Sequence, residues 1–188
     1  FLFPVARPLV ELLGLFAAEG SIVTTKKGFN YERVVLSFGS HERDLMQYTL
    51  GLVKDVFDYR ARPVYAHESA RTIAIHSTAL AILFEHIFQT GRGSGSKQIP
   101  PLIFNIPKSL QERYLVAYCA GDGYPSRVFT ERLILHKGLS SEERRKFAVA
   151  TKSKTLANGI LYLLTSLEKS FSLGEVREQS GREIAVTY

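Results

Sequence analysis

The chain has 188 residues, enough for one compact domain or two small intimate ones with a real core. Hydrophobic residues make up 45% and aromatics 11%, which excludes a disordered tail. With 24 Lys and Arg against 18 Asp and Glu, the formal net charge is +6, a balance that favours a polyanionic partner without naming one. The single cysteine, Cys119, excludes an internal disulfide framework and a cysteine-rich zinc site. An intracellular setting, cytoplasmic in a prokaryote, is therefore expected. No apolar run has the length needed to span a bilayer, so no membrane partner is expected. The apolar opening FLFPVARPLVELLGLFAAEG has no basic leader and is interrupted by Glu11 and Glu19, unlike a signal peptide.

Apolar periodicity predicts, in chain order, a helix over 8–18, a strand pair over 21–38, a helix over 42–57, a strand pair over 61–76 and a helix over 77–90. GRGSGSK at 91–97 reads as a linker. It superficially suggests a phosphate loop, but the spacing is wrong, and Pro100 and Pro101 block the helix such a loop must open. A helix over 108–120, a strand pair over 126–152, a helix over 154–170 and a strand pair over 174–188 complete the pattern.

The second set repeats the first. SARTIAI at 69–75 matches SGREIAV at 180–186, an offset of 111 (180 − 69). The same offset carries Leu45, Leu52, Val53 and Val56 onto Leu156, Leu163, Leu164 and Leu167, an apolar helical stripe. It also carries Leu36 and Phe38 onto Phe147 and Val149, alternating as a half-buried strand does. In front of each block stands another repeated element, LLGLFAAEG at 12–20 and LVAYCAGDG at 115–123, at an offset of 103 (122 − 19). The eight residues of difference are expected as an insertion in the strand region 124–146.

Gly14 and Ala18 share one helical face, as do Ala117 and Gly121. Small residues at this spacing let two helix backbones approach closely. A pair packed about a pseudo-twofold axis brings Glu19 and Asp122 together at the C-terminal ends, each followed by a glycine suited to a C-cap. Two acids there repel each other and the negative ends of the helix dipoles, so a cation should compensate. Oxygen ligands point to a hard ion such as Mg²⁺. Taken singly, either acid also reads as a solvated residue before a turn.

Both nonapeptides resemble the LAGLIDADG motif, acid in the eighth place and glycine in the ninth. The two-copy organisation resembles the single-chain LAGLIDADG homing endonucleases of the DOD type, and most of all their intein-borne archaeal members. The resemblance spans nearly the whole chain. It implies an α+β fold of two pseudo-symmetric αββαββ(α) halves, each with an antiparallel four-stranded saddle-shaped sheet packed on helices. The repeats would be 1–96 and 97–188. It implies site-specific hydrolysis of both strands of a long duplex DNA target, with Mg²⁺ or Mn²⁺ at Glu19 and Asp122 and the adjoining glycines Gly20 and Gly123. The partner would be double-stranded DNA, bound by a monomer acting as a pseudo-dimer. SKQIPPLIF at 96–104 resembles the Lys-x-Ile-Pro element before the second motif, which makes Lys97 the basic residue of the catalytic pocket; an ordinary linker lysine is the other reading. Lys152 is the candidate counterpart in the second half.

Strand alternation sets Arg33, Val35 and Ser37 opposite Val34, Leu36 and Phe38. Candidate DNA contacts in the first half are Lys26, Lys27, Arg33, Ser37, Arg60, Arg62 and Arg71. In the second they are Arg127, Lys137, Lys152, Lys154, Arg177 and Arg182. Any one of these cations also reads as a solvated surface group. His41, His67, His76, His86 and His136 lack metal-ligand spacing, and Cys119 reads as core.

The first half continues past its last strand into the apolar STALAILFEHIF at 77–88, whereas the second stops at Tyr188. The final helix of the second repeat is therefore expected to be missing, the chain being a fragment, an excised piece of a larger intein or a naturally shortened form. Phe1 is no splicing nucleophile and the end is not His-Asn, so self-splicing is not expected. Two alternatives keep the fold: a DNA-binding relative without cleavage, and an RNA-splicing maturase.

Overall fold

A computed structural model describes residues 4–27, 29–67, 70–124, 126–135, 148–178 and 181–187. Side chains are described for these except at 25–27, 29–31, 65–67, 126, 175–178, 181–183 and 185–187. The order is α1 (Arg7–Glu19), β1 (Gly20–Lys27), β2 (Phe29–Gly39), α2 (Arg43–Phe57), β3 (Arg62–His67), β4 (Ala70–Ile75) and α3 (Thr78–Ile82). A π-turn over Leu83–Ile87 extends α3, and a 3₁₀ turn covers Pro101–Asn105. Then come α4 (Lys108–Asp122), β5 (Gly123–Tyr124), α5 (Ser126–Ile134), β6 (Ala148–Thr151), α6 (Lys154–Ser166), β7 (Ser172–Glu178) and β8 (Gly181–Thr187).

The strands form two four-stranded antiparallel sheets with the same topology, β1-β2-β4-β3 and β5-β6-β8-β7. The 111-residue offset holds at element level: α2 begins at Arg43 and α6 at Lys154, β4 at Ala70 and β8 at Gly181. Leu45, Leu52 and Val53 are buried on α2, and Leu156, Leu163 and Leu164 on α6, so the repeated stripe is the core face in both.

α1 is apolar almost all round and is correspondingly buried, from Leu9 through Ala18. One side meets α4, where Tyr114, Leu115, Ala117 and Tyr118 are buried. Phe16 stacks on Phe84 at 4.7 Å between ring centroids, and Phe84 meets Phe88 edge-on at 5.7 Å, fastening the α3 region to α1. The one buried acid of α1, Glu11, is fully engaged. Arg7 Nε and Arg113 Nε donate to its Oε1 at 2.7 Å, and Tyr48 OH donates to its Oε2 at 2.5 Å. Arg113 belongs to α4 and Tyr48 to α2, so this ion cluster ties three helices at the end of α1 opposite Glu19.

The second half departs from the expected strand pair over 126–152. β5 spans only Gly123–Tyr124, and α5 occupies Ser126–Ile134. Phe129 and Leu133 lie four residues apart, so one helical face buries both, and Arg113 donates to the Leu133 carbonyl at 3.1 Å. The insertion thus includes a helix packed on α4, and tertiary burial overrides the strand-like composition of the segment. The helix expected over 77–90 is shorter, closing in the π-turn at Ile87.

The tightest constraint is at Gly14. A Cβ there would lie 2.5 Å from the Tyr114 carbonyl oxygen and 2.8 Å from Ala117 Cβ. Gly51, on the exposed face of α2, has nothing within 4 Å of a built Cβ. In urea titrations Gly14→Val should lose about 1–3 kcal/mol or more, because the obstacle is backbone that cannot rotate away. Gly51→Ala should gain about 0.5–1 kcal/mol from helix propensity alone.

Candidate functional site

Gly14 faces Ala117, and Gly121 faces Ala18, whose Cβ would lie 2.6 Å from a Cβ at Gly121. Each helix therefore touches the other through residues 103 apart in sequence, the offset of the repeated nonapeptides. Contact between a residue and its own repeat counterpart is the signature of a pseudo-twofold axis between α1 and α4. Glu19 and Asp122, the last residues of the two helices, are the next such pair.

The close approach places Glu19 against the other helix. Its Oε1 would be 2.9 Å from a Cβ at Gly121, the residue before Asp122. Both helices close in the same way, Gly20 at φ −84° and ψ 153° and Gly123 at φ −87° and ψ 155°, with N–H groups donating to Phe16 and Cys119 carbonyls. These caps are extended rather than left-handed, contrary to the expectation for C-terminal glycines. Glycine is required for space instead: a Cβ would come within 2.3 Å of the Phe16 ring at Gly20 and 2.4 Å of the Cys119 carbonyl at Gly123.

Glu19 is half-buried and Asp122 exposed. Burial, then the Asp122 charge, then the Glu42 charge push the Glu19 carboxyl from 4.5 up to about 8, while Lys97 opposes this only partly. Glu42 escaped the sequence reading, although the 111 offset pairs it with Ser153. It sits at the N-terminus of α2 and accepts from the Gly39 N–H at 2.6 Å. Lys97 is buried, and its ammonium donates to the Ala18 carbonyl beside Glu19. Burial lowers the Lys97 pKa while Asp122 and Glu19 raise it, which places this cation within the field of both acids. The chain thus brings Glu19, Asp122, Lys97, Gly20 and Gly123 together.

The donor set fits a hard divalent cation. Two carboxylates meet at the negative ends of two helix dipoles. Among the described residues no three His, Cys, Asp or Glu side chains converge on one point. Carboxylate oxygens, completed by backbone carbonyls, water or substrate oxygens, suit a hard divalent ion better than a softer one.

On the first sheet, Val34, Leu36, Ile73 and Ile75 are buried against the helices. Register puts Arg33 opposite Val23, Ser37 opposite Thr72 and Arg62 opposite Ala74, so Arg33, Ser37 and Arg62 share the open face. Arg33 Nε is buried with no hydrogen-bond partner among the described residues. Arg71 pairs with Phe38 and so occupies the helix-side register of β4, away from that set. Arg60 is exposed between α2 and β3. Arg127, expected on a strand, lies exposed on α5 with Glu131 at 3.4 Å. Lys152 and Lys154 are exposed just after β6 and at the start of α6. Lys26, Lys27, Arg177 and Arg182 lie on strands, but their side chains are outside the described residues, as is all of Lys137. Cys119 is buried and its thiol is pushed well above the ordinary range by burial, as a core residue should be. Among the described residues no helix is long and apolar enough to cross a membrane.

The sign of the Glu19 shift gives a direct test. Without metal the folded protein keeps this proton to about pH 8, whereas the unfolded chain releases it near 4.5. Between those values the folded state binds more protons, so stability should fall with rising pH by at most about 1.4 kcal/mol per unit. Urea melts in EDTA from pH 5 to 8 should show this slope, and Glu19→Gln should remove it. Saturating Mg²⁺ should flatten the wild-type curve by displacing the proton.

No family model matches the chain. It is 26% identical over 163 residues to the uncharacterised protein MJ1054 of Methanocaldococcus jannaschii, covering 86% of this chain and 17% of that protein. It is 26% identical over 117 residues to the DNA polymerase II large subunit of Thermococcus kodakarensis, covering 62% and 6%. It is 30% identical over 132 residues to the replication factor C small subunit of M. jannaschii, covering 64% and 7%. The chain spans less than a fifth of the length of each. Among solved structures, I-DmoI in complex with DNA and Mn matches with a TM-score of 0.65 at 12% identity, over 97% of this chain and 89% of that one. I-SmaMI bound to uncleaved DNA with calcium matches at 0.55 and 11%, over 96% and 78%. The LAGLIDADG meganuclease I-AabMI bound to uncleaved DNA matches at 0.53 and 14%, over 96% and 78%. At these identities the likeness establishes the fold, which is that of the LAGLIDADG homing endonucleases.

Proposed function

We propose that this chain is a site-specific homing endonuclease that hydrolyses both strands of a long duplex DNA target, using divalent cations held by Glu19 and Asp122. The observation that carries the proposal is the delivery of two acids to one point by a helix pair packed about a pseudo-dyad. The repeats are 1–96 and 97–188, and one chain supplies both halves of the site as a monomeric pseudo-dimer.

Mg²⁺ or Mn²⁺, when bound, would neutralise charge on the phosphate under attack and make a water a better nucleophile. The chain's own residues do the rest. Glu19 and Asp122 fix where positive charge can sit, in the shallow site between two helix ends. Lys97 spends one N–H on the Ala18 carbonyl, leaving two with which to orient a water or a phosphate oxygen. Arg33, Ser37 and Arg62 on the open sheet face grip the duplex. The likeness to enzymes solved with DNA and with Mn or calcium supports this reading.

The curated matches support a mobile setting. Similar segments lie within two differently named replication proteins, filling 6% and 7% of their lengths. A segment shared by otherwise distinct proteins is the pattern of an embedded element, in keeping with an intein-borne endonuclease of an intracellular host protein.

Selection from a randomised duplex library in Mg²⁺ should recover one long site cut on both strands. Asp122→Asn should lower single-turnover cleavage by at least about a thousandfold, since a metal ligand is lost, while Ca²⁺-supported binding persists. Specific binding with no cleavage in Mg²⁺ or Mn²⁺ would replace the proposal with a cleavage-inactive DNA-binding protein. Preference for a structured intron RNA over duplex DNA would replace it with a maturase.

A further inference from the structure

Lys97 enters the acid pair from a segment outside both nonapeptide helices, so something must hold that segment in register. Thr90 accepts from the Gln98 N–H at 3.1 Å, and the Gln98 side-chain amide donates to the Gln89 carbonyl at 2.7 Å. Those two anchors belong to the first repeat. On the other side, Ile99 is buried against α6, where a Cβ at Gly159 would lie 3.1 Å from Ile99 Cγ1. The remaining anchor is Ser153. This buried residue caps α6, its Oγ accepting from the Leu156 N–H at 3.2 Å, and the same hydroxyl donates to the Lys97 carbonyl at 2.6 Å. A hydroxyl has one proton, and it goes to Lys97.

We infer that Ser153 is a positioning residue: its hydroxyl fastens the backbone of Lys97 to the start of α6 and so sets the reach of the lysine into the Glu19–Asp122 site. The link belongs to one half: the position 111 residues earlier is Glu42, whose carboxylate accepts from the Gly39 N–H. Because the link acts on a single lysine in one half, its loss should slow one strand cut more than the other. This part of the inference rests on the nuclease reading; the anchoring of Lys97 does not.

The test separates the cap from the link. Ser153→Asp keeps a good N-cap acceptor but cannot donate to a carbonyl, Ser153→Thr keeps both roles, and Ser153→Ala loses both. Two readouts are taken on the full chain. The first is acetylation of Lys97 by a lysine-selective reagent, followed by mass spectrometry, which needs no nuclease activity. Lys97 should become about tenfold more reactive in Ser153→Asp and Ser153→Ala, measured below their thermal midpoints, and remain protected in Ser153→Thr. The second is single-turnover conversion of a supercoiled plasmid bearing the selected site through nicked to linear form. Ser153→Asp should slow cleavage about tenfold or more and accumulate a nick in one preferred strand, with Ca²⁺-supported binding intact and Ser153→Thr restoring both cuts.

Unchanged Lys97 reactivity in both Ser153→Asp and Ser153→Ala would overturn the inference. So would equal slowing of the two strands, or wild-type cutting by Ser153→Asp. Raised Lys97 reactivity in a chain whose wild type cuts no DNA would uphold the anchoring and reject the nuclease reading instead.

Discussion

Two helix backbones in contact at Gly14 and Gly121 set the geometry on which everything else hangs. With Tyr114 O 2.5 Å and Ala18 Cβ 2.6 Å from the two built Cβ positions, neither site admits a side chain. Close backbone approach fixes the axial register of α1 on α4 as well as their separation, because each small residue must meet its counterpart 103 positions away. Both helices therefore end at the same level. The acids that follow have no choice but to be neighbours, and the sheets that begin at Gly20 and Gly123 leave the pair in the same direction along the chain.

Such an arrangement is electrostatically poor when it stands alone. Burial and a neighbouring carboxylate hold Glu19 protonated to about pH 8, and Lys97 compensates only in part. At the far end of the same helix the balance is opposite: Glu11 is deeply buried but receives Arg7, Arg113 and Tyr48. A buried acid with full compensation is structural, and its loss would strand buried arginine charge. A half-buried acid that is only partly compensated stores unfavourable energy that a divalent cation relieves, as functional sites commonly do. One helix carries both cases, separated by two turns.

Much of this was legible in the sequence because it is written twice. The 111 offset located α2 and α6, although α6 ends at Ser166 rather than at 170, and the nonapeptides located the acid pair, since a pattern that recurs in register is hard to mistake. The segment 126–134 was misread for the same reason. Repeat symmetry demanded a strand there, and Val128, Phe129, Thr130 and Ile134 suit one by composition, yet Phe129 and Leu133 bury together on α4 as only a helix allows. Ser153 was readable as a helix cap from its place before an apolar stripe, but its bond to Lys97 spans 56 residues and leaves no local trace. Glu42 was hidden likewise, because its influence on Glu19 depends on how α2 lies against α1. Arg71 shows the limit of composition: it is a basic strand residue, but one step of register puts it on the helix side.

Crystals of the chain with its selected DNA and Mn²⁺, measured at a wavelength where manganese scatters anomalously, address the arrangement of the acids most directly. An anomalous peak bounded by the carboxylates of Glu19 and Asp122, lost in a Glu19→Gln, Asp122→Asn double variant, is the predicted result. Manganese bound elsewhere on the chain, with both carboxylates free of it and the DNA cut, would contradict the account.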